Sequence, residues 1–215
     1  MLELYGHPFS SYTWKALIAL HAGETPFIFR MLGPDQPENG ARVAAASPLG
    51  KFPLLVDGDT EVFEATSIIE HLWLNHSGAA RLLPVDPVAA AKVRMIDRVF
   101  DNYVMGPMQA AVAEHLRGGG KDQARIDEAC SQLERAYGWL EGWLEHYVPS
   151  TTISLIECAA APALFYADWI VPIPTSCPRL AAYRAHLLAL PAVVRCVEDA
   201  RPYRGFFPPG APDRD

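Results

Sequence analysis

Cysteine is scarce and unevenly placed in this sequence: the four residues Cys130, Cys158, Cys177 and Cys196 all lie in its second half. They form no C-x-x-C pair and no Cys/His spacing of a zinc finger, so dithiol redox chemistry and a structural zinc are not expected. Four thiols without a framework pattern suit a reducing, cytoplasmic compartment. Runs of Lys and Arg are missing and the formal net charge is −7, which removes the electrostatic footprint of a nucleic-acid binder. Long apolar runs are missing too. The most apolar stretch, residues 158–173, is broken by Pro162, Asp168 and Pro172, and MLELYGHP lacks a basic segment followed by an apolar one. Neither a membrane span nor an export signal is expected. With no G-x-S-x-G elbow, the serines near His7 lack the setting of a hydrolase nucleophile.

What is present is an ordinary globular composition, 50% apolar and 20% charged over 215 residues, enough for one large domain or two modest ones. The first third alternates short strand and helix patterns, as an α/β unit does. Residues 2–5 and 26–30 read as strands around a helix over 12–22, with Gly23 at its C-terminal end. A Pro- and Gly-rich passage follows. Residues 53–56 and 61–63 then flank Asp57-Gly58-Asp59, a hairpin signal. Ile68, Ile69, Leu72 and Trp73 mark an amphipathic helix over 65–76. Beyond the connector SGAARLLPVD every pattern is helical. A long helix over 87–116 is expected to kink at Gly106-Pro107. Helices over 122–146, 154–169, 178–188 and 191–199 follow, the third-last opened by a Ser154/Glu157 capping box.

Three places carry chemistry. In GKFPLL, Phe52-Pro53 sits where loop becomes strand; a proline there is ordinary at a strand's first residue. A cis bond would instead turn the Phe52 backbone outward, leaving its N–H and C=O to pair with an extended peptide. In FEATSIIEHL, Glu64 precedes a helix whose dipole favours it by a few tenths to about 1 kcal/mol. The free N–H groups of residues 65–67 can also hold a carboxylate while Glu64 takes an ammonium, a combination that suits an amino-acid head group. In GHPFSSYTWK, Ser10 and Ser11 stand at a helix start, where serine is a preferred N-cap. His71, Trp73, His115 and His186 read as packing or surface residues.

The order βαβ-ββα before an all-helical half, SPLGKFPLLVDG leading into FEATSIIEHL, the connector RLLPVDP, and ISLIE before CAAAPAL together resemble the cytosolic glutathione S-transferase family, in its bacterial, Ser-type, theta/zeta-like form. The resemblance implies an α+β chain: a thioredoxin-like domain over 1–77, a linker over 78–86 and an all-α domain with a tail over 87–215. It implies glutathione as co-substrate, no metal, a homodimer, and conjugation of the glutathione thiolate to a small, mostly apolar electrophile in detoxification. A non-catalytic ligand-binding protein and a zeta-type isomerase are the alternatives.

Residue by residue, the resemblance implies glutathione contacts from Lys51, Phe52, cis Pro53, Glu64, Ala65 and Thr66, with the Phe52 backbone on the cysteinyl part and Glu64 on the γ-glutamyl ammonium. Ala65 departs from the family's usual Ser, so Thr66 or Ser67 must substitute or only backbone donors remain. A hydroxyl after the first strand is implied to steady the glutathione thiolate. Counting back from Lys15 favours Ser11, with Ser10 capping or assisting, although Ser10 matches the first Ser of the zeta-like S-S-C-S-W-R pattern. Tyr12 and Thr13 depart from that pattern. Tyr12, Tyr103 and Met108 are expected at the second-substrate pocket, and Phe206 and Phe207 either cover it or pack on the surface.

Overall fold

The computed structural model describes residues 1–47, 49–76 and 82–215. Pro48 in SPLGKFPLLVDG and residues 77–81, at the start of the expected connector, lie outside the described residues. Strands β1 (Leu2–Gly6), β2 (Phe27–Met31), β3 (Leu54–Asp57) and β4 (Thr60–Phe63) form one sheet in the order β2-β1-β3-β4. β1 and β2 run parallel through the crossover helix α1 (Ser11–Ala22), and the other pairs are antiparallel.

Alternation along the strands buries both faces of this sheet. Leu4 and its register partner Leu55 join the main core with Trp14 of α1 and with Ile68 and Ile69 of α3 (Ala65–Asn75). Tyr5 and its partner Leu54 form a smaller cluster with Val43. Val43 belongs to a helix that the Pro- and Gly-rich passage conceals: α2 (Pro37–Ala46). Pro37 sits in the first turn, where a missing N–H costs nothing, and the Asn39 amide donates to the Met31 carbonyl at 2.9 Å. Tertiary contacts thus outweigh Gly40. The lobe is β1-α1-β2-α2-β3-β4-α3, a thioredoxin-like arrangement.

Gly23 caps the C-terminal end of α1 as expected, and the long helix is subdivided. Gly23 ends α1 in a right-handed conformation, and the left-handed residue is Glu24, at φ +48°. The long helix changes type ahead of Gly106-Pro107. It runs as α4 (Pro87–Val99), a π-helical turn (Phe100–Met105) and α5 (Gly106–Leu116). Pro107 has no N–H for the carbonyl of Tyr103, and the chain accommodates this one turn earlier, with the Gly106 N–H reaching the Asp101 carbonyl five residues back.

The helical half continues as α6 (Gln123–Trp143), α7 (Leu155–Ile170), α8 (Pro178–Leu188), α9 (Pro191–Ala200) and a 3-10 turn (Arg201–Phe206). α7 is buried from Leu155 to Trp169 and opens with both halves of the Ser154/Glu157 capping box. It packs on α1, with Trp14 4.9 Å from the Phe165 ring and 5.5 Å from that of Tyr166. The two lobes therefore share one core. Among the described residues no single helix is long and apolar enough to cross a membrane.

Candidate active site

Residues 7–10, between β1 and α1, are held from both lobes. A Cβ on Gly6 would lie 2.6 Å from Thr13 Cγ2, so the strand end meets the first turn of α1 without room for a side chain. The Trp14 indole donates to the Pro8 carbonyl at 2.6 Å, and the Tyr166 hydroxyl of α7 donates to the Phe9 carbonyl at 3.0 Å. Ser10 follows as the N-cap of α1, its oxygen accepting the Thr13 N–H at 3.3 Å. His7 Nδ1 accepts the Phe9 N–H at 3.1 Å. The only hydrogen-bond partners of the two serine hydroxyls are the Thr13 N–H and the Gln109 amide, so among the described residues no histidine activates them.

Two cavities meet at this loop. One, of about 470 Å³, is the more polar and is lined by Ser10, Tyr12, Lys51, Phe52, Pro53, Glu64 and Ala65 on the sheet lobe and by Arg98, Asp101, Asn102 and Gln109 on the helical lobe. The other, of about 380 Å³, is apolar, with Phe9, Met108, Val112, Tyr166, Phe206 and Phe207 in its wall. Ser10 and Gln109 belong to both. Ser11 lines only the apolar cavity, is 5% exposed, and accepts from the Gln109 amide at 3.4 Å.

Two backbone features mark the rim of the polar cavity. The Phe52–Pro53 bond is cis, and Glu64 sits at φ +70°, a region that a side-chain-bearing residue occupies at a cost of order 1–3 kcal/mol. Glu64 leads into α3 without a side-chain cap, so the first amides of that helix face the cavity end unsupported by the helix itself. Tyr12 is half-buried, and burial together with the Asp101 charge pushes its hydroxyl up to about 12. It stays neutral and able to donate.

Behind this wall lies a buried ion network. The Lys15 ammonium, fully inaccessible, spends its three protons on Asp97 Oδ1 at 2.7 Å, Asp101 Oδ1 at 2.7 Å and Thr66 Oγ1 at 3.1 Å. Arg98 bonds Asp97, Asp101 and Thr66 from the cavity side, so two cations balance two carboxylates. Burial pushes the Asp101 carboxyl up; Lys15 opposes this and Asp97 adds to it. Thr66 accepts from Lys15 and Arg98 and donates to Asp97 at 3.0 Å. Its hydroxyl is engaged in these three bonds, and Thr66 is not among the residues that line the cavity.

A sequence profile described as "Glutathione S-transferase, N-terminal domain" matches residues 4–80. The chain is 31% identical over 194 residues to the "Uncharacterized GST-like protein YibF" of Escherichia coli, covering 88% of this chain and 91% of that one. It is also 31% identical over 160 residues to a glutathione S-transferase of Pseudomonas putida, covering 73% and 70%. It belongs to the glutathione S-transferase family. The fold agrees with that of a glutathione S-transferase from Methylobacillus flagellatus solved with GSH bound, at a TM-score of 0.78 and 24% identity over 91% of this chain and 98% of that one.

Among glutathione S-transferase positions read from the sequence, Ser10, Lys51, Phe52, Pro53, Glu64 and Ala65 come together on one cavity. The candidates for a second pocket separate. Tyr12 lines the polar cavity and not the apolar one. Tyr103, 62% exposed, faces a separate groove beside Trp139, whereas Met108 lines the apolar cavity. Phe206 and Phe207 both line that cavity, Phe207 buried and Phe206 exposed. Sequence reading missed Arg98, Asp101, Asn102 and Gln109. The available signal was Asp97 and Asp101, four apart on an otherwise apolar helix face in MIDRVFDN, which asks for a buried cation.

Proposed function

We propose that the protein is a glutathione transferase that joins the glutathione thiolate to a small, mostly apolar electrophile, with Ser10 as the hydroxyl that faces the sulfur. The observation that carries this reading is the position of Ser10 on the wall common to the polar and apolar cavities. Glutathione is a charged tripeptide and suits the first cavity; its sulfur, at the middle residue, then falls at the boundary where an apolar partner enters from the second. Ser10 uses a lone pair to cap α1 and keeps its proton for the sulfur. Ser11 lines the apolar cavity alone, where its oxygen accepts from the Gln109 amide. This reading assigns the role to Ser10 and not to Ser11, which counting back from Lys15 favours.

In this reading the Phe52 backbone pairs with the cysteinyl part, Glu64 takes the γ-glutamyl ammonium, and the amides opening α3 take its carboxylate. Arg98 and Lys51 supply the positive charge that the absent Ser hydroxyl would have supplemented. Lowering a thiol from about 8.5 to about 6.5 raises thiolate at pH 7 from about 3% to about 75%, for about 2.7 kcal/mol. Lower nucleophilicity per thiolate returns about eightfold of that roughly twenty-fivefold gain. Ionisation alone leaves about threefold, so holding the sulfur against the apolar cavity supplies the larger part of the acceleration.

The test is turnover of an aryl halide with glutathione. It is expected to fall by about 10-fold or more in Ser10→Ala, through loss of one hydrogen bond that both ionises and positions the charged sulfur, and to persist in Ser11→Ala; the reverse pattern would return the role to Ser11. No turnover by the parent protein, with glutathione still bound, would make it a binding protein. A homodimer accompanies this reading, supported by the apolar groove of about 710 Å³ beside the exposed Tyr103 and Trp139; sedimentation at several concentrations checks it. Four free cysteines fit a cytoplasmic setting.

A further inference from the structure

On the sheet lobe, at the far end of α3 from Glu64, two histidines converge on one carboxylate. Asp57 closes β3, His71 lies on the last turns of α3, and His76 follows its end. His71 Nε2 is 2.9 Å and His76 Nε2 2.7 Å from the same oxygen, Asp57 Oδ2, and the three atoms all lie within 4.8 Å of one another. We propose that Asp57, His71 and His76 form a binding site for zinc or a closely related divalent transition metal.

The convergence depends on local backbone. In a continuous helix residues five apart point about 140° away from each other, so His71 and His76 would face different directions. α3 ends at Asn75, and His76 takes an extended conformation (φ −121°, ψ 98°) that swings its ring back over the hairpin. The donor set of two imidazoles and one carboxylate is one that zinc accepts, with a fourth position left for water. Bonds of about 2.0–2.1 Å in a tetrahedral site separate ligand atoms by about 3.3 Å, so each N–O pair has to open by only about half an ångström. The side chains are partly exposed, at 26% for Asp57, 15% for His71 and 28% for His76, which leaves an entry path.

The Asn75 amide nitrogen lies 3.2 Å from His71 Nδ1 and donates to the His71 carbonyl at 3.0 Å. When Nε2 binds a metal, Nδ1 carries the ring proton and gives it to water at this exposed edge. The ion would then tie the β3–β4 hairpin to the end of α3.

The experiment uses the full chain without a histidine tag, stripped with a chelator and titrated with zinc chloride against a chromophoric competitor. One equivalent is expected to bind and to raise the thermal unfolding temperature. His71→Ala, His76→Ala and Asp57→Asn should each weaken that binding by at least about 10-fold and abolish the thermal shift. Zinc-edge X-ray absorption on the loaded parent protein does not depend on the variants folding; it should report nitrogen and oxygen ligands alone. Absence of binding, unchanged affinity in the folded variants, or a sulfur ligand at about 2.3 Å, which would move the ion to a cysteine such as the half-buried Cys130, each overturns the proposal.

Discussion

Lys15 Nζ lies 2.7 Å from Asp101 Oδ1 with no part of the lysine side chain exposed, joining the first helix to a π-helical turn 86 residues later. Replacing it with methionine removes the cation that holds two buried carboxylates and leaves Arg98 alone to balance them. Breaking a buried ion pair from one side costs about 3–5 kcal/mol, and urea unfolding of Lys15→Met should show a loss of that order. A loss below about 1 kcal/mol would mean that the carboxylates find water instead.

Gly6 and Thr13 make a second pair open to test. Gly6→Ala brings a methyl to 2.6 and 2.7 Å from the Thr13 side-chain atoms, and overpacking of this kind typically costs about 1–3 kcal/mol. Thr13→Ala removes the two closest atoms. The double variant should therefore recover part of the loss, and strictly additive losses in a denaturation cycle would show that the clash is relieved elsewhere.

Glu64 combines a cost with a proposed use. Glu64→Gly relieves the positive φ, worth about 1–3 kcal/mol, against about 0.5–1 kcal/mol of added chain entropy. The variant should be at least as stable as the parent, while glutathione binding, measured by calorimetry, weakens by about 10-fold or more through loss of a charge-assisted hydrogen bond. Glu64→Gln should bind as poorly without gaining stability. Full affinity in either variant would take the ammonium contact away from Glu64.

His21 sets a pH dependence. Its Nε2 is buried without a hydrogen-bond partner, and burial, with a smaller push from Arg195, pulls its pKa down to about 4 from 6.5. The unfolded chain therefore binds the extra proton between these values, and stability falls as pH drops. The His21 contribution is complete above about pH 6.5 and is lost progressively toward about pH 4, on the order of 1–3 kcal/mol. His21→Leu should flatten the denaturation midpoint across that window; an unchanged slope would assign it to other groups.

The elements that local pattern specifies were legible: the β1-α1-β2 unit, the hairpin at Asp57-Gly58-Asp59, and the Ser154 capping box all depend on neighbours within a few residues. α2 was not, because Pro37 and Gly40 argue against helix and the contacts that override them, Val43 under the sheet and Asn39 on β2, are distant in sequence. The site divides in the same way. Phe52, Pro53 and Glu64 stand in short motifs, whereas Arg98 and Gln109 reach the cavity only through the packing of two lobes. The proposed choice of Ser10 over Ser11 rests on the direction of one helical turn, which a count along the chain does not supply.

The Trp14 and Tyr166 bonds to the Pro8 and Phe9 carbonyls have a consequence for how such a chain diverges. Because a helix from the second half holds the loop that carries Ser10, the sheet lobe cannot be exchanged with a relative's as a finished cassette. A chimera inherits a working loop only if the incoming α7 brings a hydroxyl to the same carbonyl. Substitutions in these two regions should therefore be accepted as pairs.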